Sequence, residues 1–163
     1  MLIAYMLVLL AVGMDLKSMR ISNRLILIGL GISLIRRFFY AGVPGILTGI
    51  FLIFIPVIFL YLLFLAGALG AGDIKLFSVI GGFVTLEELL SCIFFSFIFA
   101  AIFSLGKLLW HRRLFSSVRR VLSYVNDLRL GRFSSYEVGE EDHYMHFSVA
   151  ILLGLIVSDW LHG

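Results

Sequence analysis

Two aspartates stand at the ends of apolar runs. Asp15 closes the stretch that begins at Leu2, and Asp73 opens another inside Gly70-Ala71-Gly72-Asp73-Ile74-Lys75-Leu76. A charged group near membrane depth is costly, and such groups usually face an internal cavity and mark function. Two carboxylates brought together in a partly dry site cannot both ionise easily, so one proton is shared between them. The ionised partner can then take a proton from water while the protonated one hydrogen-bonds a carbonyl, which is how aspartic proteases hydrolyse an amide without a covalent intermediate. Singly, each aspartate has a plainer reading. Asp73 suits a helix N-cap, whose side chain bonds the free N–H groups of the first turn, and Asp15 suits a helix end. An isolated cap, however, has no need of Gly70 and Gly72 just before it. Glycine permits positive φ and close backbone approach, so Gly72→Ala is expected to impair through backbone shape.

No other constellation competes. The sequence contains no GxSxG, HExxH or P-loop pattern, and its single cysteine, Cys92, reads as a small buried side chain. His111, His143, His146 and His162 lack the cysteines or tight spacing of a metal site, so neither metal nor cofactor is expected. The same polar spacing occurs twice, in Asp15-Leu16-Lys17 and Asp73-Ile74-Lys75. Positions two apart on a helix do not face each other, so neither lysine pairs with its own aspartate; headgroup anchoring is the plain reading of both.

The elements that must position the aspartates follow from composition. The chain has 163 residues, 61% hydrophobic and 14% charged, far from the average soluble domain. The expected class is an all-α, polytopic membrane bundle of about six transmembrane helices, one domain over residues 1–163. The runs are about Leu2 to Leu16, Leu25 to Tyr40, Gly45 to Leu65, Asp73 to Leu86, Leu89 to Leu109 and Met145 to Leu161. A cleaved signal peptide at the start lacks a basic flank and a small-residue cleavage site. Pro56 predicts a kink in the third run, and Arg36 and Arg37 are placed to snorkel from the second. Of thirteen Lys and Arg, eleven fall in alternate loops and only Arg36 and Arg37 on the other side. Basic loops stay in the cytoplasm. The N-terminus is therefore outside, and Asp15 and Asp73 lie at similar depth at the cytoplasmic edge.

Residues 111–144 form the one sizeable polar loop, expected to be cytoplasmic. Leu114, Val118, Val121, Val125 and Leu128 make an apolar stripe, with Arg119, Arg120 and Arg129 off it. That pattern fits a basic amphipathic helix on anionic headgroups, with a partner-binding or core-packed helix as the alternative. The membrane surface already accounts for the basic residues, so nucleic acid is not an expected partner. Glu137, Glu140, Glu141 and Asp142 follow. The plain reading is a solvated loop; the sharper one makes Glu140, Glu141 and Asp142 a binding patch for a basic peptide.

Gly70-Ala71-Gly72-Asp73 resembles the GxGD motif of type IV prepilin and preflagellin peptidases. In that family a first aspartate ends a helix and is followed by a basic stretch closing in Ile-Pro-Asn. Here Asp15-Leu16-Lys17-Ser18-Met19-Arg20-Ile21-Ser22-Asn23 is similar, with Ser22 in place of the proline. The family's last span often carries Pro-Phe-x-Pro-Ala-Ile; here the stretch is His146-Phe147-Ser148-Val149-Ala150-Ile151, with both prolines missing. The resemblance implies a membrane aspartic endopeptidase in the cytoplasmic membrane. It would cleave short basic leaders from pilin-like or archaellin-like precursors at the cytoplasmic face, before their hydrophobic helix. It makes Asp15 and Asp73 the catalytic pair, Gly70 and Gly72 loop-shaping residues, and Lys75 and Asn23 accessory motif residues. The chain looks like the short form of the family, without the methylation-associated cytoplasmic domain, which implies cleavage alone. Two alternatives stay open. Presenilin-like and signal-peptide-peptidase-like proteases share GxGD, but their other aspartate follows a tyrosine, whereas Asp15 follows Met14. A small transporter or assembly subunit would place carboxylates in an ion path, nearer the bilayer midplane than span ends.

Overall fold

The computed structural model describes residues 1–18, 20–110 and 147–163, the side chains of 108–110 excepted. Among the described residues there are five helices and no strands: α1 (Leu2–Ser18), α2 (Asn23–Leu65), α3 (Ala71–Phe83), α4 (Leu86–Trp110) and α5 (Phe147–His162). The all-α expectation holds. Two helices, α2 and α4, are long and apolar enough to cross a membrane, whereas α1, α3 and α5 are shorter. Residues 1–99 and 146–163 form one compact unit, which carries both aspartates; residues 100–145 form another. The amphipathic helix expected within 111–144 lies outside the described residues.

α2 is a helical hairpin. Gly42 has φ 61° and ψ −146°, a backbone conformation open to glycine and strained for any other residue. Beyond it the chain folds back. A Cβ on Gly49 would lie 2.7 Å from Arg37 Cδ and 3.2 Å from Leu34 Cδ2, whereas Leu34 and Gly49 in a straight helix would be about 22 Å apart. Residues 23–41 and 43–65 therefore coincide with the second and third apolar runs, carried by one element. The break falls at Gly42 and not at Pro56, which sits buried in continuous helix. Proline removes one N–H, and in an apolar bundle neighbouring helices absorb that loss.

α2 ends in a Schellman cap. Gly67 takes φ 69°, its N–H donates to Phe64 O at 3.0 Å, and Ala68 N–H donates to Leu63 O at 3.0 Å. The chain is thereby turned within a few residues and delivered to Gly70, the start of α3.

Small residues carry the packing inside the unit. A Cβ on Gly81 of α3 would collide with Leu52 O of α2, and one on Gly154 of α5 would lie 2.6 Å from Cys92 O of α4. Large apolar side chains lie on both sides: Phe77, Leu60, Leu76 and Ile151 are buried in the core, while others stand outward, with Phe39 81%, Ile58 75% and Leu62 75% exposed. Close contacts at small residues together with a heavily apolar exterior are the arrangement expected where lipid, not water, is the solvent.

Arg36 and Arg37 depart from expectation. Instead of reaching away from the bundle they turn onto the C-terminal end of α3. Arg37 Nε donates to Gly82 O at 2.7 Å and Nη2 to Val84 O at 2.6 Å, while Arg36 Nη1 donates to Phe83 O at 3.1 Å. The last carbonyls of a helix have no partner within it and carry its negative dipole end. In an apolar setting they draw the two cations inward. A cavity of about 360 Å³ lies beside them, lined by Arg36, Arg37, Tyr40, Thr48 and Glu88 among others, at the end of the unit away from the aspartates.

Candidate active site

Three helix ends build the site: the end of α1, the start of α2 and the start of α3. Asp15 is one turn from the end of α1, and Ser18 closes that turn by donating to Met14 O at 2.8 Å. Ser22 caps α2, accepting from Arg24 N–H at 3.3 Å. It holds the position where the sequence pattern has proline, and it supplies an N-cap instead.

Asp73 is not the N-cap of α3. Gly70 is, with φ −77° and ψ 147°, and Asp73 occupies the third helical position. Its carboxylate reaches back to accept from the Gly70 N–H, the side-chain half of a capping box. The two glycines meet only part of the expectation. Neither Gly70 nor Gly72 has positive φ. What Gly70 provides is room, because a Cβ there would lie 3.1 Å from Asp73 Oδ2. A Cβ on Gly72 would meet only Ile21, at an ordinary 3.7 Å.

The fold brings Asp15 and Asp73 close enough to interact electrostatically, across the α1–α3 contact. Both are partly buried. Lys75 turns away from its own aspartate, as its spacing requires, and Nζ donates to Asn23 Oδ1 at 3.0 Å. This contact joins the starts of α2 and α3, so Lys75 has a protein partner that the headgroup reading did not include. Glu140, Glu141 and Asp142 lie outside the described residues.

One residue at the site escaped the sequence reading as a functional candidate. Ser148, fully buried near the described start of α5, donates from Oγ to Asp15 Oδ2 at 2.6 Å. The signal available for it was slight: one serine between Phe147 and Val149 in the last apolar run.

The described residues form an apolar helical unit, with two helices long and apolar enough to cross a membrane, that brings two aspartates from separate helices near one another. The sequence model of the type IV leader peptidase family matches residues 1–105, and the chain belongs to that family. Membership implies an aspartic peptidase acting on prepilin leader peptides, and the family is found in the cytoplasmic membrane. Comparison with curated proteins and with solved structures gave no match.

Proposed function

We propose that this chain is an aspartic endopeptidase that removes short basic leaders from pilin-like precursors at the cytoplasmic membrane face, with Asp15 and Asp73 as its catalytic pair. The observation that carries the reading is the interaction of these two carboxylates from α1 and α3, in a chain of the leader peptidase family. Asp15 accepts a proton from water as the water oxygen bonds to the scissile carbonyl carbon. Asp73, in its protonated form, donates to the carbonyl oxygen. Collapse of the tetrahedral intermediate breaks the C–N bond, returns the oxygen's proton to Asp73, and releases the amine with the proton taken up by Asp15. The pair ends as it began, with one proton between two carboxylates.

In this reading the apolar segments make six spans with the N-terminus outside. The charge pattern supports it: Lys17, Arg20, Arg24 and Lys75 cluster at the aspartate end, whereas Arg36 and Arg37 mark the opposite turn of the hairpin. The loop 111–144 is then cytoplasmic, and Glu140, Glu141 and Asp142 attract the basic leader. Cleavage needs neither metal nor cofactor and adds no methyl group. Lys75 and Asn23 hold the start of α3 against the start of α2, and so set the height of Asp73.

The glycine geometry yields an ordered pair of expectations. Gly70→Ala crowds the Asp73 carboxylate and should slow cleavage roughly tenfold or more, since small misplacements in a catalytic constellation cost up to about 100-fold. Gly72→Ala should stay nearer wild type, contrary to the backbone-shape expectation. Cleavage rates in membranes, normalised to protein present, compare the two; the reverse order would remove Gly70 from the site.

The direct test uses purified protein and a pilin-like precursor with a basic leader. The precursor should be shortened in the presence of EDTA. Activity that EDTA abolishes and zinc restores would overturn hydrolysis by the carboxylates alone.

A further inference from the structure

We propose that Ser148 is a positioning residue for Asp15: its hydroxyl holds Oδ2 and so orients the carboxylate that accepts the proton of the attacking water. The proposal rests on the peptidase reading above and extends it to α5, a helix beyond the residues matched by the family.

Five serines are buried among the described residues: Ser33, Ser78, Ser96, Ser148 and Ser158. Ser33, Ser78 and Ser96 donate back to their own helices, at Leu30 O, Ile74 O and Cys92 O. This is the ordinary fate of a serine in an apolar helix. Ser158 donates across to Glu88 O of α4 at 2.7 Å. Ser148 differs in that its acceptor is a carboxylate. At 2.6 Å the contact has the length of a charge-assisted O–H···O⁻ bond.

The register of α5 is fixed independently of this bond. At its far end Tyr5 Oη donates to Asp159 Oδ2 at 2.7 Å, joining α1 to α5. In the middle Gly154 packs on Cys92 O. At the near end the Phe147 ring stands against Phe77 at 6.2 Å and Phe97 at 5.6 Å between centroids. Phe77 lies one turn beyond Asp73 on α3. Adjacent residues of α5 thus touch both halves of the site, Phe147 on the helix of Asp73 and Ser148 on Asp15 itself. The hydroxyl is held in place by packing and is not free to rotate away with its helix.

The test uses the full chain in membranes with Ser148→Ala and Ser148→Thr. Alanine removes only the hydroxyl, so the protein should accumulate as wild type does. Its kcat should fall about 10–100-fold with KM within about twofold, the loss expected for one hydrogen bond to a charged group. Threonine keeps the hydroxyl and should recover most of kcat. A second measurement needs no turnover: modification of Asp15 by a hydrophobic carbodiimide, which must reach the carboxyl oxygen that the Ser148 hydroxyl occupies, followed by mass spectrometry. Labelling of Asp15 should be several-fold faster in Ser148→Ala than in wild type or Ser148→Thr. Wild-type kcat in Ser148→Ala, or equal labelling in all three, would overturn the proposal. A wild-type chain that cleaves nothing would instead overturn the peptidase reading, and the labelling would still decide whether Ser148 governs Asp15.

Discussion

Asp15→Asn and Asp73→Asn are each expected to abolish precursor cleavage while the protein still inserts and accumulates. Asparagine keeps the size of aspartate and much of its capping ability, so a structural role for either residue would survive the change. For Asp73 that structural role is specific: the carboxylate accepts from the Gly70 N–H at the start of α3, and the amide oxygen of asparagine can accept the same bond. The amide cannot shuttle a proton. If the two carboxylates share one proton and one water, neither variant retains a working half. Each should lose on the order of 1000-fold or more, and the double variant should be no worse, because residues that act as a unit are strongly non-additive. Rates are read from precursor conversion in membranes, with protein quantified in parallel. Substantial cleavage by either stable asparagine variant would return the ion-path alternative to consideration.

The second large effect concerns stability. Arg37→Ala should destabilise the fold by about 3 kcal/mol or more, since hydrogen bonds to charged groups contribute roughly 1.5–3 kcal/mol each. Arg37 makes two short bonds to carbonyls at the end of α3, and it touches Thr48 across the α2 hairpin at 3.5 Å. Removing it leaves the partly buried Gly82 O and Val84 O without that donor and unties the end of α3 from the α2 hairpin. Lysine keeps the charge but loses the planar fork and should recover only part of the stability. Thermal unfolding of purified protein in detergent measures the order: wild type, then Arg37→Lys, then Arg37→Ala. An unchanged Tm for Arg37→Ala would show that the arginine lies outward, as its position in the sequence first indicates.

That contrast shows what can be read from sequence here and what cannot. Asp15 and Asp73 were legible because a carboxylate in an apolar run has few explanations, and their meeting followed from the alternation of helix directions. The position of each helix was legible for the same reason, as apolar run length constrains little else. The reversal inside α2 was legible too, as the gap between the runs ending at Tyr40 and starting at Gly45, and Gly42 supplies the positive φ that it needs. The kink expected at Pro56 shows no break in helical backbone, because a proline inside a helix removes one N–H without forcing a reversal. Gly70 was legible in half: its backbone is ordinary, without the positive φ offered for it, while the close approach is there as the space it leaves beside Asp73 Oδ2. Arg36 and Arg37 were misread because snorkelling assumes that water is the best available partner, whereas the unpaired carbonyls of α3 are nearer. Ser148 was hardest to see. Its partner is 133 positions away, and nothing local separates it from the serines that bond their own helices.

The account is tested most directly by where the precursor is cut. Protein reconstituted in liposomes should convert a pilin-like precursor to two products whose masses place one cleavage between the basic leader and the hydrophobic helix. The new terminus should carry no added methyl, even with a methyl donor present. Asp15→Asn and Asp73→Asn protein should leave the precursor whole. An intact precursor beside correctly folded wild-type protein, or a cut within the hydrophobic helix, would contradict it.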